Sequence, residues 1–136
     1  MYVRLVAEHL DPEAVVIRFA PTSLESVMKK AKQEFRRSGH HRLSVFADTP
    51  RPGETPLDTE RRLVQAAGLA NINLDSNRRY WVGRGRDLTE SFEAHKDGYE
   101  GEPREHYSLD LGDDAGLADA CQDFLGKFRG PEKVER

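Results

Sequence analysis

The most constraining feature of this sequence is an amphipathic segment between Pro21 and Gly39. Thr22 and Glu25 have the spacing of a capping box, in which a hydroxyl and a carboxylate satisfy free N–H groups of a first turn. Gly39 can adopt the left-handed conformation that ends a helix. The segment therefore predicts a helix over residues 23–38, with a buried stripe formed by Leu24, Val27, Met28, Ala31 and Phe35.

Alternating apolar residues on both sides of this helix indicate strands. Residues 2–8 and 14–20 alternate as half-buried strands do, and the turn at residues 9–13 predicts that they form a hairpin. Residues 43–47 are rich in β-prone side chains and predict a third strand. The order is β-β-α-β, which predicts an α+β fold in which a small mixed sheet packs against the main helix.

The second half of the chain carries weaker signals. A proline-rich loop at residues 48–56 precedes a half-exposed helix that ends near Ala67. The later patterns predict a strand at 79–84, a short helix within 87–96, a mobile loop at 97–105, a strand at 107–111 and a C-terminal amphipathic helix. The stripe of that last helix is Leu117, Cys121, Phe124, Leu125 and Phe128. We predict one domain over residues 1–130 and a frayed charged tail at 131–136.

The order of these elements resembles that of β-grasp folds such as ubiquitin-like modules. The resemblance consists of the β-β-α-β start, the proline-rich connector and a late strand, and no residue motif accompanies it. It implies an architecture and no function. A ferredoxin-like or other two-layer α+β arrangement fits the same order.

Composition and cysteine usage limit the cellular setting. The chain has 136 residues, which suits one domain with a sizeable core. No run of apolar residues is long enough to span a membrane, and the first residues lack the pattern of a signal peptide. The single cysteine, Cys121, cannot form an intramolecular disulfide. We therefore expect a cytoplasmic protein without a membrane partner.

Charge is distributed unevenly along the chain. Residues 29–86 carry 13 basic and 6 acidic side chains, a net charge of +7, whereas residues 87–136 carry 6 basic and 14 acidic ones, a net charge of −8. Either the acidic part folds over the basic part and cancels it, or the protein presents a basic and an acidic face to partners. The sequence does not decide between these arrangements and assigns no oligomeric state.

The basic middle supplies the candidate binding residues. Cations on the solvent side of the main helix continue into two histidines, and arginines flank aromatic residues on the 79–84 strand. Arginine beside an aromatic ring can hold phosphate and stack on bases, although a strand with a buried aromatic residue has the same pattern. The candidates for binding a partner or nucleic acid are Lys29, Lys32, Arg36, Arg37, His40, His41, Arg78, Arg79, Trp81, Arg84 and Arg86.

No pattern points to catalysis, a metal or a cofactor. His40 and His41 could supply an acid and a base or two metal ligands, but neighbours in an extended segment point in opposite directions. Gly83 and Gly85 form a G-x-G, yet Leu88 stands where a dinucleotide fingerprint has its third glycine. Cys121 lies on an apolar stripe and is expected to be an inert buried thiol.

These observations favour a non-enzymatic, cytoplasmic protein–protein interaction module with segregated basic and acidic faces. One alternative is an RNA-binding protein or small metal-independent ribonuclease that uses the basic middle. Another is an antitoxin-like or immunity-like inhibitor whose acidic surface mimics nucleic acid.

Overall fold

Over the residues that the structure describes, the protein combines helices with one six-stranded sheet, which confirms the predicted α+β class. The structure, a computed structural model, describes residues 10–19, 23–69, 79–96 and 103–134. Its elements are β1 (Val15–Arg18), α1 (Leu24–Ser38), β2 (Arg42–Asp48), α2 (Pro56–Leu69), β3 (Arg79–Arg84), α3 (Gly85–Thr89), β4 (Glu93–His95), β5 (His106–Asp110), a 3₁₀ turn (Asp114–Gly116), α4 (Leu117–Gly126) and β6 (Arg129–Lys133).

The sheet has the strand order β4-β5-β2-β1-β3-β6. All five pairings are antiparallel, so the expectation of a mixed sheet is corrected. β1 lies inside the sheet and pairs with β2 on one side and with β3 on the other. The predicted hairpin between residues 2–8 and β1 is therefore wrong over residues 15–17, because both edges of β1 are occupied there.

The first strand of the predicted β-β-α-β order, at residues 2–8, falls outside the described residues. The resemblance to β-grasp folds depends on that strand and stays a prediction. Residues 70–78 and most of the loop predicted at 97–105 also lie outside the described part of the chain.

Helices cover both faces of the sheet. α1 and α4 pack together on one face, where Val16 and Val45 meet Val27 and Phe124 in a buried cluster. α2 covers the other face, where Ile17 and Phe46 pack against Leu63. Successive side chains of β1 thus pack into two separate cores, because side chains alternate between the two faces of a strand.

α1 forms where the sequence predicts it, with two differences in detail. Its N-cap is Ser23, whose side chain accepts a hydrogen bond from the N–H of Ser26 at 3.2 Å, whereas Thr22 lies outside the described residues. Gly39 ends the helix with φ 83°, as predicted. Phe35 was expected in the buried stripe, but 42% of it is exposed, because the sheet contacts the helix mainly through Val27 and Ala31.

The later elements depart further from expectation. The predicted helix at 87–96 is replaced by the five-residue α3 and the strand β4. The C-terminal amphipathic helix is confirmed as α4, but it ends at Gly126. Residues 131–133, expected to begin a frayed tail, belong to β6 and pair with β3. Pairing with β3 satisfies the backbone N–H and C=O groups of these residues. Because β3 is distant in sequence, no local pattern in residues 131–133 predicts the strand.

Candidate functional sites

A line of cations runs along the exposed side of α1. Lys29, Lys32 and Arg36 are all exposed, and their spacing of three and four residues places them on one strip of the helix. None of the three forms an ion pair with a residue that the structure describes. Arg37 differs, because its guanidinium binds the carboxylate of Glu34 one turn earlier. The strip therefore carries three positive charges that no described side chain neutralises.

An exposed aromatic ring lies beside this strip. The Phe35 ring stacks on the His41 ring, with 4.4 Å between centroids and 18° between planes. His41 is 2% exposed, and its Nδ1–H donates to the carbonyl of Gly112 at 2.9 Å. Its Nε2 lies 2.9 Å from Asp114 Oδ1. These contacts hold His41 in one orientation, so the Phe35 ring has a fixed support.

We call Lys29, Lys32, Phe35 and Arg36 the α1 surface. The sequence missed the role of Phe35, because its helical position alone predicts burial. It also treated His40 and His41 as a pair on a solvated helix end. In the structure the His40 side chain is 52% exposed and lies 3.8 Å from Asp110, whereas His41 is buried. The two rings therefore share no open face.

The candidate residues on β3 separate onto two faces of the sheet. Trp81 is half-buried and pairs with Arg18, so it lies on the α1–α4 face of the sheet. Arg79 lies on the same face, because side chains alternate along a strand. Arg84 is opposite Val15 on the α2 face, and Arg86 belongs to α3. Arg78 lies outside the described residues. The predicted basic residues thus occupy three places and form no single tract. One place is the exposed side of α1, the second is the sheet face at Trp81, and the third surrounds Arg84 and Arg86.

The second candidate site is a concave groove at the end of the sheet, and we call it the strand-end groove. Its volume is about 580 Å³, and residues of β1, β3 and β6 line it together with the first turn of α2 and the residues after α4. Its cations are Arg84, Arg86, Lys127 and Arg129, and its anions are Glu13, Glu60 and Asp87. Sequence analysis found Arg84 and Arg86 but missed Lys127 and Arg129, since the predicted helix end and tail gave no reason to place them here.

Glu60 is an unusual member of this groove because it is only 5% exposed. Its Oε1 accepts a hydrogen bond from the Tyr80 hydroxyl at 3.0 Å, and its Oε2 lies 3.7 Å from Arg129 Nη2. Burial, followed by the contact with Glu60, raises the pKa of Tyr80 far above its ordinary value. Tyr80 therefore stays a neutral hydrogen-bond donor to a buried carboxylate.

The G-x-G of β3 has a structural explanation. A Cβ on Gly85 would lie 2.0 Å from the carbonyl oxygen of Asp11. The N–H groups of Gly85 and Arg86 donate to the carbonyls of Ala14 and Pro12, both at 2.9 Å. The first two N–H groups of α3 thus bind the protein's own backbone and are not available to a phosphate.

Arg18 is 3% exposed, although it lies on a strand that the sequence predicts to be half-buried. Its guanidinium carbon lies 4.8 Å from the centre of the Phe124 ring, and Nε and Nη1 have no hydrogen-bond partner among the described residues. Desolvation by burial lowers the pKa of Arg18 to about 10. The contact with an aromatic face offsets part of this cost.

Reactive chemistry is sparse in the described part of the chain. No group of three or more His, Cys, Asp or Glu side chains there could hold a metal ion. Cys121 is buried, and burial raises the pKa of its thiol, which suits an inert side chain. None of the helices over the described residues is long and apolar enough to cross a membrane.

Comparison with known proteins adds no relative: no protein family, no curated protein and no solved structure matches this chain.

Proposed function

We propose that this protein is a non-enzymatic binding module that docks an acidic surface of another protein onto the α1 surface. The observation that carries the proposal is the exposed Phe35 ring, fixed on His41 and aligned with three cations that have no described partner. A rigid aromatic anchor beside charged neighbours is the arrangement that dominates many protein interfaces. Preorganisation lowers the entropy lost when the partner binds.

The charges around Phe35 favour a protein over a nucleic acid. Asp114 contacts the ring that supports Phe35, and Asp110 lies near His40 at the same end of α1. Carboxylates in these positions would repel a phosphate backbone, whereas a protein partner can match cations and anions along one surface. The dispersion of the basic residues over three places also argues against one continuous path for RNA.

The ribonuclease alternative needs an acid and a base that reach the same substrate. Burial of His41 beside an exposed His40 does not provide this pair. RNA binding without cleavage, and an inhibitor with an acidic surface, stay as alternatives that the experiment below distinguishes. A cytoplasmic location, in keeping with one buried cysteine, is part of the proposal.

The test is site-specific crosslinking in the cells that make the protein. A photoreactive amino acid at Lys29 should capture a protein, whereas the same group at Gln65, exposed on α2, should not. Each sample is divided, and one half is treated with nucleases. An adduct at position 29 that disappears with the nucleases would establish the RNA alternative and overturn the proposal.

Variants of the α1 surface then measure the interaction with the captured protein. Lys32→Glu/Arg36→Glu should weaken binding about tenfold and reduce its dependence on salt. The matched control Arg51→Glu/Lys133→Glu makes the same change of charge at exposed residues elsewhere. Phe35→Ala should weaken binding at least about tenfold. Equal affinity for all these variants would show that the partner binds another surface.

A further inference from the structure

The strand-end groove shares no residue with the α1 surface and calls for a separate explanation. Its volume of about 580 Å³ lies within the range of cavities that take small molecules. Its floor is apolar: Val15 is half-buried and Val82 is 5% exposed, both on the α2 face of the sheet, and three prolines stand at the sides. Charged groups surround this floor, so the groove offers contacts to a ligand that has both an apolar and a charged part.

The groove contains charged side chains that differ in how far they are paired. Four cationic and three anionic side chains line it. Glu13 is paired with Arg86 at 2.7 Å, and Glu60 has Tyr80 and Arg129 as neighbours. Lys127 lies 3.4 Å from Asp123, which is outside the groove. Arg84 is exposed and has no ion-pair partner among the described residues.

Strand register directs two guanidinium groups toward the same part of the floor. Arg129 on β6 is opposite Val82 on β3, and Arg84 follows Val82 by two residues, so all three side chains lie on one face of the sheet. Arg129 approaches Glu60 and Glu132 only at 3.7 and 3.9 Å, which is too long for hydrogen bonds. Both arginines therefore retain donors for an incoming anion.

We propose that the strand-end groove binds a small organic anion, with its carboxylate or phosphate group between Arg84 and Arg129 and its apolar body on Val15 and Val82. Arginine suits both head groups, because its planar fork can donate two parallel hydrogen bonds to either. The anion supplies an ion-pair partner for Arg84, which has none among the described residues.

The experiment is a titration of the ¹⁵N-labelled full chain followed by two-dimensional NMR. The probes are benzoate and phenyl phosphate, which share an aromatic body and differ in the head group, and benzamide as the neutral control. Both anions should shift the backbone signals of Val82 to Arg84 and of Gly126 to Phe128 in a saturable manner in the millimolar range. Their relative affinities identify the preferred head group.

Arg84→Gln supplies the matched variant, with Arg51→Gln as the control at another exposed arginine. Loss of a charged hydrogen-bond donor should weaken binding of the better anion about tenfold, while the control should bind like the unmodified protein. Arg129→Gln should also weaken binding, and dispersed spectra verify that each variant is folded. Equal shifts with benzamide, shifts confined to other residues, unchanged affinity in Arg84→Gln, or no saturable shift with either anion would each overturn the proposal.

Discussion

Phe35 and Phe124 carry the same side chain on helices that pack against each other, yet they have opposite environments. Phe124 is 0% exposed, and its ring meets Phe92, Phe128 and the Arg18 guanidinium. Phe35 is 42% exposed and has the ring of His41 on one face. At the scale of the residue, neighbours decide what a phenylalanine contributes.

Truncation of these two rings should therefore have unequal effects on stability. Phe124→Ala should lower the free energy of unfolding by about 3–5 kcal/mol, because it leaves a cavity in the core. Phe35→Ala should lower it by about 1 kcal/mol, since only the stacking contact is lost. Urea melts of the two variants measure the difference. Equal losses would show that Phe35 belongs to the core, as its helical position alone suggests.

At the scale of the element, α2 is joined to the end of β2 by a network around Arg62. Arg62 donates to both oxygens of Glu54 at 2.8 Å and to Asp48 Oδ2 at 2.7 Å. Arg104 donates to the same oxygen of Asp48 at 2.6 Å, and this hydrogen bond connects the turn before β5 to the network. The hydrogen bonds from Arg62, with those from the Arg51 backbone and Thr59, hold the pKa of Glu54 far below its ordinary value.

This network predicts a pH dependence of stability. Because the pKa of Glu54 is lower in the folded than in the unfolded state, its contribution is present above the ordinary glutamate pKa of about 4.3 and is lost as the pH falls. Glu54→Gln should be less stable than the unmodified protein at pH 6. The difference in melting temperature should shrink as the pH falls below about 5.

The matched control for this prediction is Glu90→Gln, at an exposed carboxylate with no described partner. Its melting temperature should follow that of the unmodified protein at every pH. A difference between Glu54→Gln and the unmodified protein that stays constant from pH 6 to pH 3 would contradict the role assigned to Glu54.

At the scale of the whole molecule, segments that are distant in sequence come into close contact, as at the junction between β3 and α3. The loop before β1 packs so closely on the β3–α3 junction that Gly85 has no room for a Cβ beside the Asp11 backbone. Two backbone hydrogen bonds, from Gly85 and Arg86 to Ala14 and Pro12, cross the same junction. The junction forms one wall of the strand-end groove, so its closeness also shapes that site.

Gly85→Ala should test this junction. The added methyl group meets backbone atoms that cannot rotate away, so the free energy of unfolding should fall by about 1–3 kcal/mol. Gly126→Ala is the control, because a Cβ there meets nothing within 4 Å. The control should leave stability unchanged or raise it slightly, since alanine restricts the unfolded chain. Urea midpoints that move equally in both variants would contradict the close approach at Gly85.

By itself, the sequence determined the features that depend on local patterns. Apolar spacing predicted α1 and α4, alternation of apolar residues predicted β1 and β5, and β-prone residues predicted β2 and β3. These signals lie within one element, because a helix face or a strand face is formed by residues close in sequence. The α+β class follows from their order.

Only the tertiary structure decided how these elements combine. It placed β1 between β2 and β3, converted the expected tail into β6, buried His41 and left Phe35 exposed. It also divided the basic residues among the α1 surface, the Trp81 face and the strand-end groove. Each outcome depends on contacts between residues far apart in the chain. Such contacts arise from packing and strand pairing, and no local periodicity encodes them.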